Sequence, residues 1–245
     1  IMESVQKLTH IEHILKRPDS YVGPVDLNVE PYWVLNSNKS QFEKKNLKYS
    51  PALLKIFDEI LVNAIDRNSM HPKNVTSISV DIDKESGAVT IENNGPLGGI
   101  GVRMHEKEGL WNPELTFGHL LTSTNYDDSQ KRIVGGRNGY GAKLTNIYSS
   151  DFSIVIKDHE NKQTYTQKWS KNMTVCEPPK IKKHSGATSS VSVTFVPDWR
   201  RFGLSKMENA IYKIFQKRVW DANICTTPNC KVKFNGDVLP KQNLD

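Results

Sequence analysis

The spacing of apolar positions changes several times along the chain, and each change marks an element. Residues 9–17 read as a short helix that stops at Pro18-Asp19-Ser20, a turn signal. Residues 28–49 are polar and irregular, which predicts one strand and a long loop. Ser50 then offers an N-cap and Pro51 a favourable first position for a helix to about Asn68. Its Leu53, Ile56, Phe57, Ile60, Leu61 and Ala64 share one broad face on a 3.6-residue period. Strict alternation follows, with Ile78, Val80 and Ile82 on one side and Ser77, Ser79, Asp81 and Asp83 on the other. Glu85-Ser86-Gly87 turns the chain into a returning strand over 88–92, so this stretch is a hairpin.

Beyond a glycine-rich loop at 93–102, helices are predicted over 113–121 and 140–148, with a polar stretch at 122–136 between them. Strands at 152–157, 163–169, 174–177 and 188–196, a helix from 205 to about 221 and a strand at 231–235 complete the pattern. Helices interleaved with strands that return as hairpins argue for an α+β two-layer sandwich in one domain.

Composition narrows the class without naming a function. The chain has 245 residues, 37% hydrophobic and 24% charged, which fits a globular domain and not a disordered, collagen-like or coiled-coil chain. No run approaches the roughly 20 apolar residues of a membrane span, and residues 1–13 lack the apolar core of a signal peptide. Cys176, Cys225 and Cys230 suit a reducing compartment, so the expectation is a soluble intracellular domain. Thirty-three Lys and Arg against 27 Asp and Glu leave a net charge of +6. The basic residues are scattered, and such a surplus permits a polyanionic partner without requiring one.

Three stretches carry candidate chemistry. On the 51–68 helix, Glu59, Asn63 and Asp66 lie at i, i+4 and i+7, which stacks them on one edge bordering the apolar face. A carboxylate there can orient water, and an amide oxygen one turn on can help hold Mg²⁺, although a solvated acidic edge has the same spacing. The loop after the hairpin, Asn93-Asn94-Gly95-Pro96-Leu97-Gly98-Gly99-Ile100-Gly101, lets backbone approach a ligand, and Asn94 offers a donor and an acceptor to an adenine edge. The third stretch, Gly135-Gly136-Arg137-Asn138-Gly139-Tyr140-Gly141-Ala142-Lys143, runs into a helix. Free N–H groups and the positive end of the dipole suit phosphates there. It matches neither the P-loop nor the dinucleotide fingerprint. His10 and His13, three apart, and Cys225 and Cys230, five apart, lack the further ligands of a metal site.

The order of Phe57-Asp58-Glu59-Ile60-Leu61-Val62-Asn63-Ala64, Asn93-Asn94-Gly95, Leu121-Thr122-Ser123-Thr124-Asn125-Tyr126-Asp127-Asp128 and Gly135 to Lys143 resembles the ATPase domains of eukaryotic-type type IIA topoisomerases. These belong to the GHKL (Bergerat) superfamily with gyrase B and the histidine kinases. The likeness runs from Leu15 to Gly236. It implies a two-layer sandwich with helices on one face of a mixed, mostly antiparallel sheet, ATP and Mg²⁺ as cofactors, and ATP-driven dimerisation that controls double-strand passage of DNA. Glu59 would be the general base, Asn63 the magnesium ligand, and Asn94 the adenine reader. Gly99, Ile100, Ser123, Thr124 and Asn125 would contact nucleotide. Gly136, Arg137, Asn138, Gly139, Tyr140, Gly141, Ala142 and Lys143 would cradle phosphates, with Lys143 also stabilising charge in catalysis.

Residues 1–24 would form an N-terminal strap whose Tyr21 reaches the partner protomer's nucleotide, in a homodimer closed through strap and lid around duplex DNA. Residues 25–245 would form the ATPase domain, with 236–245 starting a truncated transducer region and no DNA-cleavage tyrosine in the chain. The resemblance further implies a nuclear location if the protein is cellular, a viral origin being equally compatible, and no membrane. Two departures stand out. Pro96 to Gly99 insert about two residues in the Asn-Asn-Gly loop, and Arg67 replaces a polar amide. Two alternatives stay open, another GHKL ATPase of the mismatch-repair or chaperone kind, and a nucleic-acid-binding or scaffold module that kept the fold and lost catalysis.

Overall fold

The structure, a computed structural model, describes residues 7–36, 41–95, 100–120 and 140–241. Its elements are helices α1 (His10–Lys16), α2 (Pro51–Met70), α3 (Asn112–Gly118), α4 (Gly141–Ile147) and α5 (Asn209–Cys225). The strands are β1 (Asn28–Leu35), β2 (Phe42–Tyr49), β3 (Ser77–Ile82), β4 (Val89–Asn94), β5 (Ser149–Asp158), β6 (Gln163–Ser170), β7 (Val175–Cys176), β8 (Lys180–Lys183), β9 (Ser190–Pro197), β10 (Lys231–Phe234) and β11 (Asp237–Val238).

Nine of the strands form one sheet in the order β11-β10-β3-β4-β9-β5-β6-β7, with β8 also pairing β6. Every pairing is antiparallel except β10 with β3. One side of this sheet is apolar because alternate residues line up across strands: Phe234, Val80, Ile91, Val193 and Ile154 form a single buried row. Helices α2, α4 and α5 lie against strands of the sheet, and α3 packs on α4. The α+β two-layer expectation therefore holds, with the core between the sheet and its helices.

Local signals explain most elements. Thr9 and Glu12 make a reciprocal capping box on α1. Ser50 accepts from the Leu53 N–H, and Pro51 occupies the first turn of α2. The face predicted for α2 is buried, and its Phe57 stacks on Phe215 of α5 with centroids 4.1 Å apart and planes 7° from parallel.

Three expectations are corrected. Residues 28–49 hold two strands, paired from Asn28 with Tyr49 to Leu35 with Phe42, not a strand and a loop. The unanticipated β8 adds an exposed edge to β6. Helix α5 starts at Asn209, not at 205, and runs to Cys225. Residues 7–24 pack on this chain's own core: Ile14 is fully buried, and its carbonyl accepts a 2.7 Å bond from the Tyr148 hydroxyl. Among the described residues no helix is long and apolar enough to cross a membrane.

Candidate functional site

Adjacent carboxylates on α2 have different partners because successive helix residues point about 100° apart. Asp58 faces α5, where Arg218 Nε donates to both of its oxygens at 2.8 and 3.2 Å. Burial nevertheless raises the Asp58 carboxyl above its ordinary range, with the Arg218 bonds opposing it. Glu59 lies on the next edge, half-buried, with Lys55 Nζ 2.6 Å from its Oε1. Its other oxygen, Oε2, lies against Gly141, the first residue of α4. A Cβ on Gly141 would collide with that oxygen and would lie 3.0 Å from the carboxyl carbon. Glycine is therefore required for the start of α4 to meet the carboxylate, and the first and third stretches singled out in the sequence converge here.

Asn63 is exposed one turn beyond Glu59, and Asp66 and Arg67 are half-buried farther along α2. Burial lowers the Arg67 guanidinium from its ordinary value, with Asp66 acting against it. Carboxylate and amide oxygens one turn apart are hard donors that suit Mg²⁺ sharing its shell with phosphates and water. Among the described residues no three His, Cys, Asp or Glu gather as a metal cluster.

Lys143, on α4, is only 1% exposed, and burial pulls its ammonium down to about 8. Such a group gains from an anion that arrives and excludes water. Its neighbours in α4 lock the helix: Thr145 Oγ1 donates to Ile56 O at 2.8 Å, and Asn146 Nδ2 to Phe117 O at 3.0 Å. Ala142 is buried in the core. Tyr140 caps α4, with its ring edge-on to His10 of α1 at 6.3 Å.

Asn94, the expected adenine reader, holds the chain's own backbone and a hydroxyl through both ends of its amide. Oδ1 accepts from Thr76 N at 2.9 Å and Ser77 N at 2.8 Å, and Nδ2 donates to Thr76 Oγ1 at 3.0 Å. Alternation puts the preceding residue on the other face. Asn93 pairs with Ile78 and Val191 on the helix side and is 6% exposed. The run Val89, Ile91, Asn93 carried this phase in the sequence. Gly95 ends the strand with φ +104° and packs on the Asn74 carbonyl, so a side chain would strain both its conformation and its space.

Ile100 is buried and belongs to the core. The backbone just after it is held by Asp158, which sequence reasoning missed: its Oδ2 accepts from Val102 N at 2.8 Å and its Oδ1 from Asn161 N at 3.0 Å. Burial acts to raise this carboxyl, but the N–H donors outweigh it and hold Asp158 below its ordinary value. Tyr21 is brought to His13 of the same chain, with hydroxyl and Nδ1 3.0 Å apart. Gly99, Ser123, Thr124, Asn125, Gly136, Arg137, Asn138 and Gly139 lie outside the described residues.

Comparison with known proteins gives this arrangement its relatives. The chain is 45% identical over 244 residues to DNA topoisomerase 2 of Penicillium chrysogenum, matching all of this chain and 15% of that protein. It is 42% identical over 242 residues to DNA topoisomerase 2 of Saccharomyces cerevisiae, matching 99% of this chain and 17% of the relative. The chain thus spans about a sixth of these relatives. The crystal structure of the ATPase region of Saccharomyces cerevisiae topoisomerase II superposes with a TM-score of 0.91 at 43% identity, over 96% of this chain and 61% of that one. The ATPase and transducer domains of DNA topoisomerase II from Balamuthia mandrillaris give 0.91 at 41% identity, over 97% and 61%. No protein-family model matches the chain. Near-complete coverage of this chain, identity above 40% and one shared fold lead to one conclusion: the chain belongs to the GHKL ATPase regions of type II DNA topoisomerases.

Proposed function

We propose that this domain binds and hydrolyses ATP with Mg²⁺, as the N-terminal gate of a type IIA DNA topoisomerase. The observation that carries the reading is the meeting of Glu59 with Gly141, which sets a carboxylate beside a helix start that suits phosphates. In this reading Glu59 orients the attacking water and accepts its proton. The N–H groups opening α4 and the ammonium of Lys143 take up the charge on the phosphoryl oxygens. Asn63 would hold Mg²⁺, which would neutralise phosphate charge when bound. Asn93, not Asn94, is the asparagine whose phase suits the adenine. Gly99, Ser123, Thr124, Asn125 and the 136–140 run remain proposed nucleotide contacts from the family resemblance.

ATP-driven pairing of two copies through the strap and lid, with Tyr21 reaching across, would couple this chemistry to passage of duplex DNA. Cells would hold the protein in the nucleus, and a viral source would carry the same domain. Titration of wild type and Glu59→Ala with a non-hydrolysable ATP analogue, beside their ATPase rates, tests the assignment. Retained binding with lost hydrolysis is expected, and equal hydrolysis in both proteins overturns the role of Glu59.

A further inference from the structure

The sheet has a second face, turned away from the helices, and its two halves differ in charge. Residues directly opposite in antiparallel strands share a face. Lys182 of β8, Thr164 of β6 and Lys157 of β5 therefore form one row, and Lys180, Thr166 and Val155 form the next. Lys168 of β6 follows, opposite Ser153. Four lysines from three strands thus share one surface with intervening hydroxyls. All four are exposed. Among the described residues none of them takes part in an ion pair. Acidic groups mark the margins, with Asp151 one row beyond Lys168 and Glu177 beside the Lys168 carbonyl, while on the far strands Glu92 of β4 and Asp81 of β3 are offset by Lys231 and Lys233 of β10.

We infer that the outer face of β5, β6 and β8 is a docking surface for the phosphate backbone of duplex DNA. Lys180 and Lys182 stand about 7 Å apart along their strand, and Lys182 and Lys157 about 10 Å apart across two strand spacings, so the charges cover a flat area. Lysine ammoniums with serine and threonine hydroxyls are the donors that phosphate oxygens take without reading sequence. The only apolar member of the two lysine rows, Val155, is half-buried and offers no anchor of the kind that centres a protein interface. The rows hold no aromatic ring on which unpaired bases could stack, which favours a duplex over a single strand. That the duplex is DNA rests on the reading of the chain as a topoisomerase gate, but the charge pattern does not.

The test is fluorescence anisotropy of a labelled 20-base-pair duplex against salt, for wild type and for K157Q/K168Q/K180Q/K182Q. Each phosphate contact contributes about 0.9 to the slope of log affinity on log salt, so four contacts contribute about 3.6. That slope corresponds to about a hundredfold weakening between 50 and 200 mM salt, and the quadruple variant is expected to lose most of it. K44Q/K48Q/K73Q/K206Q, with four exposed lysines replaced elsewhere, is expected to keep the wild-type slope. Equal loss in both variants, an unchanged slope in the first, or no duplex binding by wild type at low salt overturns the surface. Polyglutamate binding as tightly as the duplex overturns the occupant. ATP hydrolysis without DNA, measured on the same proteins, is expected to be equal in wild type and the first variant. A chain that binds duplex through these lysines but turns over no ATP contradicts the catalytic reading and leaves this one standing.

Discussion

With Glu59 as the proposed base, Gly141→Ala should separate catalysis from stability in a single methyl group. The added carbon would overlap Glu59 Oε2 and stand 3.0 Å from the carboxyl carbon, so the carboxylate must withdraw by about 1 Å to reach ordinary contact. The atom in the way is the end of a flexible side chain, and Lys55, half-exposed, can follow it. The fold therefore loses little, and alanine at the start of α4 recovers up to about 1 kcal/mol of helix propensity. For a domain of this size the melting point should stay within about 3 °C of wild type. Catalysis has no such tolerance, because a displacement of about 1 Å in a reacting group costs about a hundredfold in rate. The assay is a coupled ATPase measurement at saturating ATP, with thermal melts and analogue binding on the same preparations. Gly141→Ala combined with Glu59→Ala should be no slower than Glu59→Ala alone, since both act through one carboxylate. A kcat for Gly141→Ala within twofold of wild type, with unchanged melting, would refute the claim that this contact sets the base.

Asn93→Ala should weaken ATP-analogue binding by about tenfold, or 1.4 kcal/mol, with little change in melting. Asn94→Ala should do the reverse, costing about 1–2 kcal/mol in urea unfolding by leaving the Thr76 and Ser77 N–H groups without their acceptor. Burial sets Lys143 near 8 against an ordinary 10.5, so between those values the unfolded chain holds a proton that the fold has lost, and stability should rise with pH. A phosphate that needs the ammonium should bind more weakly as pH rises through about 8, and calorimetric titration should find that dependence missing in Lys143→Met. Asn68 is fully buried, donates to Val75 O and Thr227 Oγ1 and accepts from Thr227 N, so Asn68→Ala should lower unfolding free energy by about 2–3 kcal/mol in a denaturant melt.

What the sequence made legible followed the strength of its periodicity. Helix α2 and the β3–β4 hairpin were readable because each buries one continuous apolar set. Strand β8 was not, since all four of its residues are exposed and no hydrophobic period marks it. The β1–β2 ribbon escaped notice for a related reason: Val29, Pro31 and Trp33 are exposed although they look like core residues. Leu204 and Met207 drew the predicted start of α5 too early, because they are buried as packing groups ahead of the helix. At the site, motif spacing located Glu59 and Gly141, but the contact between them depends on how α4 lies on α2. The complete burial of Lys143 was equally invisible, because a lysine carries no sequence mark of its depth.

The pair Asp58 and Glu59 shows why part of the site had to come from tertiary structure. Two neighbouring acids on a helix are chemically similar in a sequence, and only the neighbours of the helix distinguish them. Arg218 fixes Asp58, and the Phe57–Phe215 stack fixes the residue before it, so two consecutive positions of α2 are locked to α5. Rotation of α2 about its axis would break both contacts. With the helix held in that orientation, Glu59 points toward Gly141, while Lys55 on the preceding turn holds its other oxygen. The acid held by Arg218 thus orients the one proposed as the base. A partner from residue 218 sets the geometry at residue 59, and no local spacing in the chain could have expressed that link.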